Sequence, residues 1–153
     1  MNPTAYNQYQ MAIHSTVDIL QEYDHDRRFP LYGFGGQVNG TISHCFPLTF
    51  DINAAEVEGL EGILNAYRNS FNFVSLSGPT LFAPYVVIYS HTDHSSDNYG
   101  SILNAAAAIA ASYASLNKYL VLLILTDGVI MDMSQTVDAI VRATHLPLSV
   151  RLQ

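Results

Sequence analysis

The stretch YLVLLILTDG, residues 119–128, decides how the rest of the chain is interpreted. Leu120 to Leu125 are all apolar, without any alternation of polar and apolar side chains, and turn-forming residues stand on both sides of them. A run this short between turn formers is typical of a strand that is buried on both faces of a parallel sheet. Because open α/β sheets bind ligands at the carboxyl ends of their strands, Asp127 is the first candidate functional residue.

The segments around this strand alternate between helical and extended patterns. Apolar residues at helical spacing, or a high alanine content, predict helices over residues 4–23, 53–71, 101–116 and 134–145. Short extended runs predict strands over residues 31–34, within 41–50, and over 148–152. The alternation indicates an α/β fold with a doubly wound, mostly parallel sheet and helices on both faces. We expect a single domain over residues 1–153, with an irregular insertion at residues 85–100.

Composition excludes several classes of function. The chain has 153 residues, of which 49% are hydrophobic and 12% charged, so it is long and apolar enough for one well-packed domain. Its formal net charge is −7, and its Lys and Arg residues form no basic patch, so neither nucleic acid nor an anionic membrane is an expected direct partner. The single cysteine and the lack of a signal peptide predict an intracellular protein.

Residues that suggest catalysis or zinc binding have simpler explanations. Cys45 has no nearby base or cation in the sequence and is interpreted as an inert, partly buried thiol. The segment HTDHSSDNYG, residues 91–100, contains two histidines but is more typical of a solvated loop than of a tetrahedral zinc site. No nucleophile elbow, zinc-protease motif or phosphate-binding loop occurs, so we expect no enzymatic activity.

Several motifs together resemble one known family. They follow one another in family order and are YGFGGQV (32–38), GILNAYRNSF (62–71), GPT (78–80), YLVLLILTDGVIMD (119–132) and AIVRATHLPLSV (139–150). This series resembles the von Willebrand A-type domain of copines, and it is interrupted mainly near residues 85–100. The resemblance implies a von Willebrand A-like, Rossmann-type sheet. Plant RING-type ubiquitin ligases share this domain and are similar to the chain as well.

The resemblance implies a divalent-cation site. Integrin-type A domains, which the family resembles, bind the ion with an Asp-x-Ser-x-Ser motif after the first strand, a Thr from a second loop and an Asp after the fourth strand. Thr80 and Asp127 match the second and third of these. Such hard oxygen ligands suit Mg²⁺, Mn²⁺ or Ca²⁺, with one position left open for a carboxylate of the partner. The alternatives remain that Thr80 caps a helix and that Asp127 starts a turn.

The resemblance is incomplete at its start. The family's first, central strand and its Asp-x-Ser-x-Ser motif are expected upstream of Met1, and the last strand is also cut short, so we expect a partial domain with an incomplete cation site. Asp132–Thr136 and Asp93–Asp97 have similar spacing, but they lie in the wrong place, and Asp132 is predicted to cap the following helix.

The function implied by the resemblance is that of a non-enzymatic protein-interaction module. The family binds phospholipid in a calcium-dependent manner through C2 domains that are absent here, so membrane contact is expected only indirectly, in a cytoplasmic protein recruited to the plasma membrane. One alternative is a degenerate or truncated fragment without a working metal site. A ubiquitin ligase is disfavoured, because a RING needs many zinc-binding cysteines and this chain has one.

Overall fold

A computed structural model of the chain describes residues 6–78, 102–113, 116, 118–126 and 130–153. The helices are α1 (Gln8–Leu20), α2 (Gly59–Ser70), α3 (Ile102–Tyr113) and α4 (Met133–Arg142). The strands are β1 (Arg28–Pro30), β2 (Tyr32–Gly33), β3 (Gly36–Val38), β4 (Thr41–Ser43), β5 (Phe46–Pro47), β6 (Glu56–Glu58), β7 (Val74–Leu76), β8 (Leu120–Ile124) and β9 (Leu148–Leu152). Backbone contacts divide the chain into two compact units. The prediction of a single domain over residues 1–153 stays a prediction.

The first unit comprises Met1–Tyr32 and Pro47–Val74. Helix α1 begins with a capping box, in which the Asn7 side chain accepts a hydrogen bond from the Gln10 backbone and the Gln10 side chain accepts one from the Asn7 backbone. Helix α1 packs against α2, and the buried residues Ile13, Val17 and Leu64 lie on these two helices. The helix predicted over residues 4–23 is therefore present, with shorter bounds.

The helix predicted over residues 53–71 starts later than expected. Ile52–Ala54 form a short 3-10 helix, and Glu56–Glu58 form strand β6, which pairs antiparallel with β1. Only at Gly59, with a φ of +59°, does α2 begin. A positive φ costs glycine little, so this residue lets the chain turn from strand into helix. Pairing with β1 has overridden the helical pattern of the preceding residues.

Short strands occupy the region in which two strands were expected. The segment 41–50, predicted as one strand, contains two, β4 and β5, and Pro47 lies in β5 within a two-stranded sheet. Strands β3 and β4 form an antiparallel hairpin whose two-residue loop is Asn39-Gly40, with φ values of +51° and +81°. Two positive φ values and this sequence are typical of the tight turn that matches the twist of paired strands.

The second unit comprises Gly33–Phe46 and Ser75–Gln153. In its C-terminal part, β8 and β9 pair in parallel with Leu120 opposite Leu148 and Ile124 opposite Leu152. Helix α3 packs against both strands and against α4. The strands predicted at 119–125 and 148–152 and the helices predicted at 101–116 and 134–145 are therefore confirmed, with small shifts at their ends.

The described residues form a mixed α/β structure, which confirms the predicted class. Within the described ranges, β8–β9 is the parallel pair whose register is defined, whereas β1–β6 and β3–β4 are antiparallel. These pairs are not enough to define a doubly wound parallel sheet, so that part of the prediction stays a prediction.

Candidate functional site

The carboxyl end of β8 is the place where the sequence predicts a functional residue. The parallel ladder continues past the strand, because Gln153 N donates to Ile124 O at 2.9 Å and Thr126 N donates to Gln153 O at 3.0 Å. The backbone therefore stays in the sheet as far as Thr126, the residue immediately before Asp127. Asp127 and Thr80 themselves lie outside the described residues, so the predicted ligand pair stays a prediction.

The segment between β8 and α4 is described again from residue 130 onward. It contains a buried carboxylate, that of Asp132. Asp132 is 8% exposed and occupies the N-cap position of α4. Its φ of −115° and ψ of 41° are not the extended conformation of a typical cap, and its side chain makes no capping hydrogen bond. Instead, its Oδ1 accepts a hydrogen bond from Thr136 Oγ1 at 3.3 Å. The predicted cap position is confirmed, but the capping interaction is replaced by this contact.

The Asp132–Thr136 segment does not bring three oxygen ligands together. Asp132 and Thr136 are buried one helical turn apart, whereas Ser134 is exposed. Residues two positions apart on a helix face nearly opposite directions, so Ser134 cannot join the other two. In the parts of the chain that the structure describes, no group of three or more His, Cys, Asp or Glu side chains could hold a metal ion.

Cys45 and His44 are the other reactive side chains with a described environment. Burial raises the pKa of the Cys45 thiol to about 12, so the thiol stays protonated at neutral pH, as the sequence predicts for an inert cysteine. In the described structure, His44 Nδ1 is buried without a hydrogen-bond partner, and no sequence signal pointed to this atom. His25 is exposed, whereas residues 91–100 lie outside the described ranges.

Helix α4 carries an exposed apolar stripe that is not evident from the sequence. Met133, Val137 and Val141 follow one another at one-turn spacing, and each is about half exposed. From helical spacing alone, Val137, Ile140 and Val141 are predicted to face inward, but the buried residues at this face are Asp132, Thr136 and Ala139, and Ile140 is only half-buried. Contiguous exposed apolar residues are typical of interaction surfaces. The stripe begins directly after the connection that contains Asp127.

Comparison with known proteins gives a consistent result. A family model described as Copine matches residues 1–152. Protein BONZAI 2 of Arabidopsis thaliana is 44% identical over 154 residues, which cover 98% of this chain and 23% of that relative. Protein BONZAI 1 of the same plant is 43% identical over 147 residues, which cover 94% of this chain and 22% of the relative. The chain thus spans less than a quarter of the length of these curated relatives.

Within the described residues, no helix has the length and apolar character needed to cross a membrane.

Proposed function

The chain belongs to the copine family, and from this membership we propose that it is a non-enzymatic protein-interaction module whose partner binding depends on a divalent cation. The observation that carries the proposal is the family match over residues 1–152. The parallel β8–β9 pair supports it, because it is the kind of pairing from which a doubly wound, von Willebrand A-like sheet is built.

The cation site that we propose lies at the carboxyl end of β8. Asp127 follows directly after Thr126, the last residue held by the β9 ladder, and this is the edge at which α/β sheets bind ligands. Asp127 and Thr80 would each supply an oxygen to Mg²⁺, Mn²⁺ or Ca²⁺. Two protein oxygens make a weak site, so a carboxylate from the partner would complete the coordination.

The surface that we propose for the partner is the exposed stripe of α4. An acidic residue of the partner would reach the cation, while apolar residues next to it would cover Met133, Val137 and Val141. Membrane contact would be indirect, through other parts of a copine-type protein, and recruitment to the plasma membrane from the cytoplasm belongs to the same proposal. Calcium-dependent phospholipid binding would likewise belong to those other parts.

Thermal unfolding with and without cation tests the metal site. At a Mg²⁺ or Ca²⁺ concentration about 100 times its Kd, binding stabilises the folded chain by about 2.7 kcal/mol, which raises the Tm of a domain this size by about 5–10 °C. Asp127→Ala should abolish the rise. Asp138→Ala, which removes an exposed carboxylate of α4, should leave it unchanged. An unaltered Tm of the parent chain at saturating cation would contradict the cation requirement.

Selection from a displayed peptide library tests the interaction function itself. We expect binders with a carboxylate beside apolar residues and a Kd in the range of about 1–100 µM. Val141→Lys should weaken them by about tenfold or more, whereas Ile19→Lys, an equally exposed apolar position on α1, should not. Failure to obtain any saturable binder, with or without cation, would contradict the proposed module.

A further inference from the structure

Helix α1 has two faces of different character. Ile13 and Val17 are buried and belong to the core of the first unit. Met11, Ser15 and Ile19 are exposed. Each of them stands two residues, or about 200° of helical rotation, from a buried residue of the helix. These three residues, which we name the α1 face, therefore point away from the core, and an element that packs on the buried side does not cover them.

The α1 face is apolar where a solvated helix is polar. Met11 is 52% exposed and Ile19 is 63% exposed. Helix α2, which packs against α1 in the same unit, shows the usual pattern of a solvated helix. Its exposed residues are all polar: Glu61, Asn65, Arg68 and Asn69. Exposed apolar residues that follow one another on one face are typical of surfaces that bind other proteins.

The shape of the α1 face suits a second helix. Met11, Ser15 and Ile19 follow one another at intervals of four residues, so they form one ridge along the helix. Ser15 is small, and its hydroxyl donates to Ala12 O at 3.1 Å, so docking would leave no O–H group without a partner. The ridge is therefore low at its centre, between two large apolar side chains, and a side chain of a second helix can pack there.

The surroundings of the α1 face are acidic. Asp18 is exposed beside the face, three residues after Ser15, and Glu22 is exposed just beyond the end of the helix. From Gln8 to Asp26, the chain contains four carboxylates and no Lys or Arg. Glu22 does pair with Arg27 at 3.6 Å, but both side chains are more than half exposed, and such surface pairs contribute little to stability. A partner with positive charge is therefore favoured at this face.

We propose that the α1 face docks a basic amphipathic helix of a partner protein. The apolar stripe of this helix covers Met11 and Ile19, and its Lys or Arg residues lie next to Asp18 and Glu22. Charge decides against two other occupants. A second copy of this chain, with a formal net charge of −7, and an anionic lipid surface would each bring like charges to the face.

Titration of the full 153-residue chain with synthetic peptides tests the proposal. The probe is a peptide of about 18 residues, long enough to form a helix, with Leu at helical spacing and Lys at the other positions. We expect a Kd of about 10–100 µM. A scrambled peptide of the same composition, and a peptide with Glu in place of each Lys, should bind about tenfold more weakly or worse. Equal affinity for the three peptides would overturn the proposal.

Matched substitutions separate the α1 face from the effect of net charge. Ile19→Lys should weaken binding of the Leu/Lys peptide by about tenfold or more. Val137→Lys makes the same change of charge at a position of α4 that is 49% exposed, and it should leave the Kd unchanged. Asp18→Asn should weaken binding several-fold, whereas Asp138→Asn, which also removes an exposed carboxylate from a helix, should not. Equal losses within either pair would contradict the α1 face.

Two further measurements exclude the other occupants and the cation site. Sedimentation and binding to phosphatidylcholine vesicles are compared for the parent chain and Ile19→Lys. Self-association or vesicle binding that this substitution abolishes would assign the α1 face to a second copy or to lipid, and the proposal would be wrong. Neither a metal chelator nor Asp127→Ala should change the Kd of the Leu/Lys peptide, so this inference stands apart from the proposed cation site. Loss of binding on chelation would contradict it.

Discussion

The short-strand region, residues 28–58, and the β8–β9 pair build sheet structure in opposite ways. The short-strand region contains strands of two or three residues, and positive φ values mark its turns at Asn39, Gly40 and Phe50. The β8–β9 pair is a parallel ladder of five residue pairs, and its strands are connected through helix α4. Parallel strands need such a crossover, whereas antiparallel strands can be joined by a tight turn.

The difference shows which physical term determines each pairing. In the short-strand region few side chains are buried, and the conformation of single turn residues sets the register. In β8 the aliphatic run itself sets the position of the strand, because the side chains must leave water. Burial should therefore dominate the effect of substitutions in β8, and backbone geometry should dominate it in the short-strand region.

The largest expected effect comes from truncating a buried isoleucine of β8. Ile124 is 2% exposed, so Ile124→Ala should lower the free energy of unfolding by about 2–5 kcal/mol through lost burial and the cavity it leaves. Ile42 in β4 is 52% exposed, and Ile42→Ala should cost about 1 kcal/mol or less. Urea denaturation of both variants measures the difference. Equal losses would remove the distinction between the two regions.

The next largest effect is steric and lies in the short-strand region. A Cβ atom added at Gly33 would lie 2.7 Å from Cζ of the buried Phe46 ring. Gly33→Ala should therefore destabilise the chain by about 1–3 kcal/mol, the usual cost of overpacking. Gly78→Ala is the matched control, because a Cβ there meets nothing within 4 Å. If Gly33→Ala left the free energy of unfolding unchanged in the same assay, the Phe46 ring would be able to move away from the added Cβ atom.

A smaller effect is expected at the hairpin turn between β3 and β4. Gly40 has a φ of +81° and open space around it, so Gly40→Ala should cost about 1–2 kcal/mol through backbone strain alone. Asn39→Gly keeps the turn geometry accessible and should change the free energy of unfolding by about 0.5 kcal/mol or less. If both substitutions had the same effect, the turn would not determine the register of this hairpin.

The same two regions differ in how far the sequence predicts their structure. The sequence predicted these four elements from local patterns: an unbroken aliphatic run for β8, a short extended run for β9, a high alanine content for α3 and apolar residues at helical spacing for α4. The Asn39-Gly40 hairpin was predictable, since this dipeptide is a strong turn signal, but the segment 41–50 was interpreted as one strand. Strand β6, with the sequence Glu-Val-Glu, was not predictable, because its pairing with β1 depends on a partner distant in sequence.

The candidate site also has features that the sequence predicts and features that it does not. Thr80 and Asp127 came from family resemblance, and they stay predictions because their positions lie outside the described residues. The N-cap position of Asp132 was predictable from its place before an amphipathic segment. Its contact with Thr136 Oγ1 was not, because the choice between the backbone and a side-chain hydroxyl depends on the dihedral angles at one residue. The exposed stripe of α4 was missed because helical periodicity does not tell which apolar positions a neighbouring element covers.

The smallest expected effect comes from the burial of the Cys45 thiol. Burial raises the pKa of this thiol from 9.0 to about 12, so the folded chain holds the proton more tightly than the unfolded chain does. The resulting stabilisation is complete below pH 9 and is lost progressively as the pH rises towards 12. At about one pH unit above 9, the folded chain should have lost about 1 kcal/mol.

Urea denaturation at pH 8 and pH 10 measures this loss, and Cys45→Ala is the control. All other ionisable groups are common to both proteins, so only the difference between the two pH dependences belongs to Cys45. We expect a steeper decline in the parent chain. Identical declines would mean that water reaches the Cys45 thiol in the folded chain and that burial does not raise its pKa.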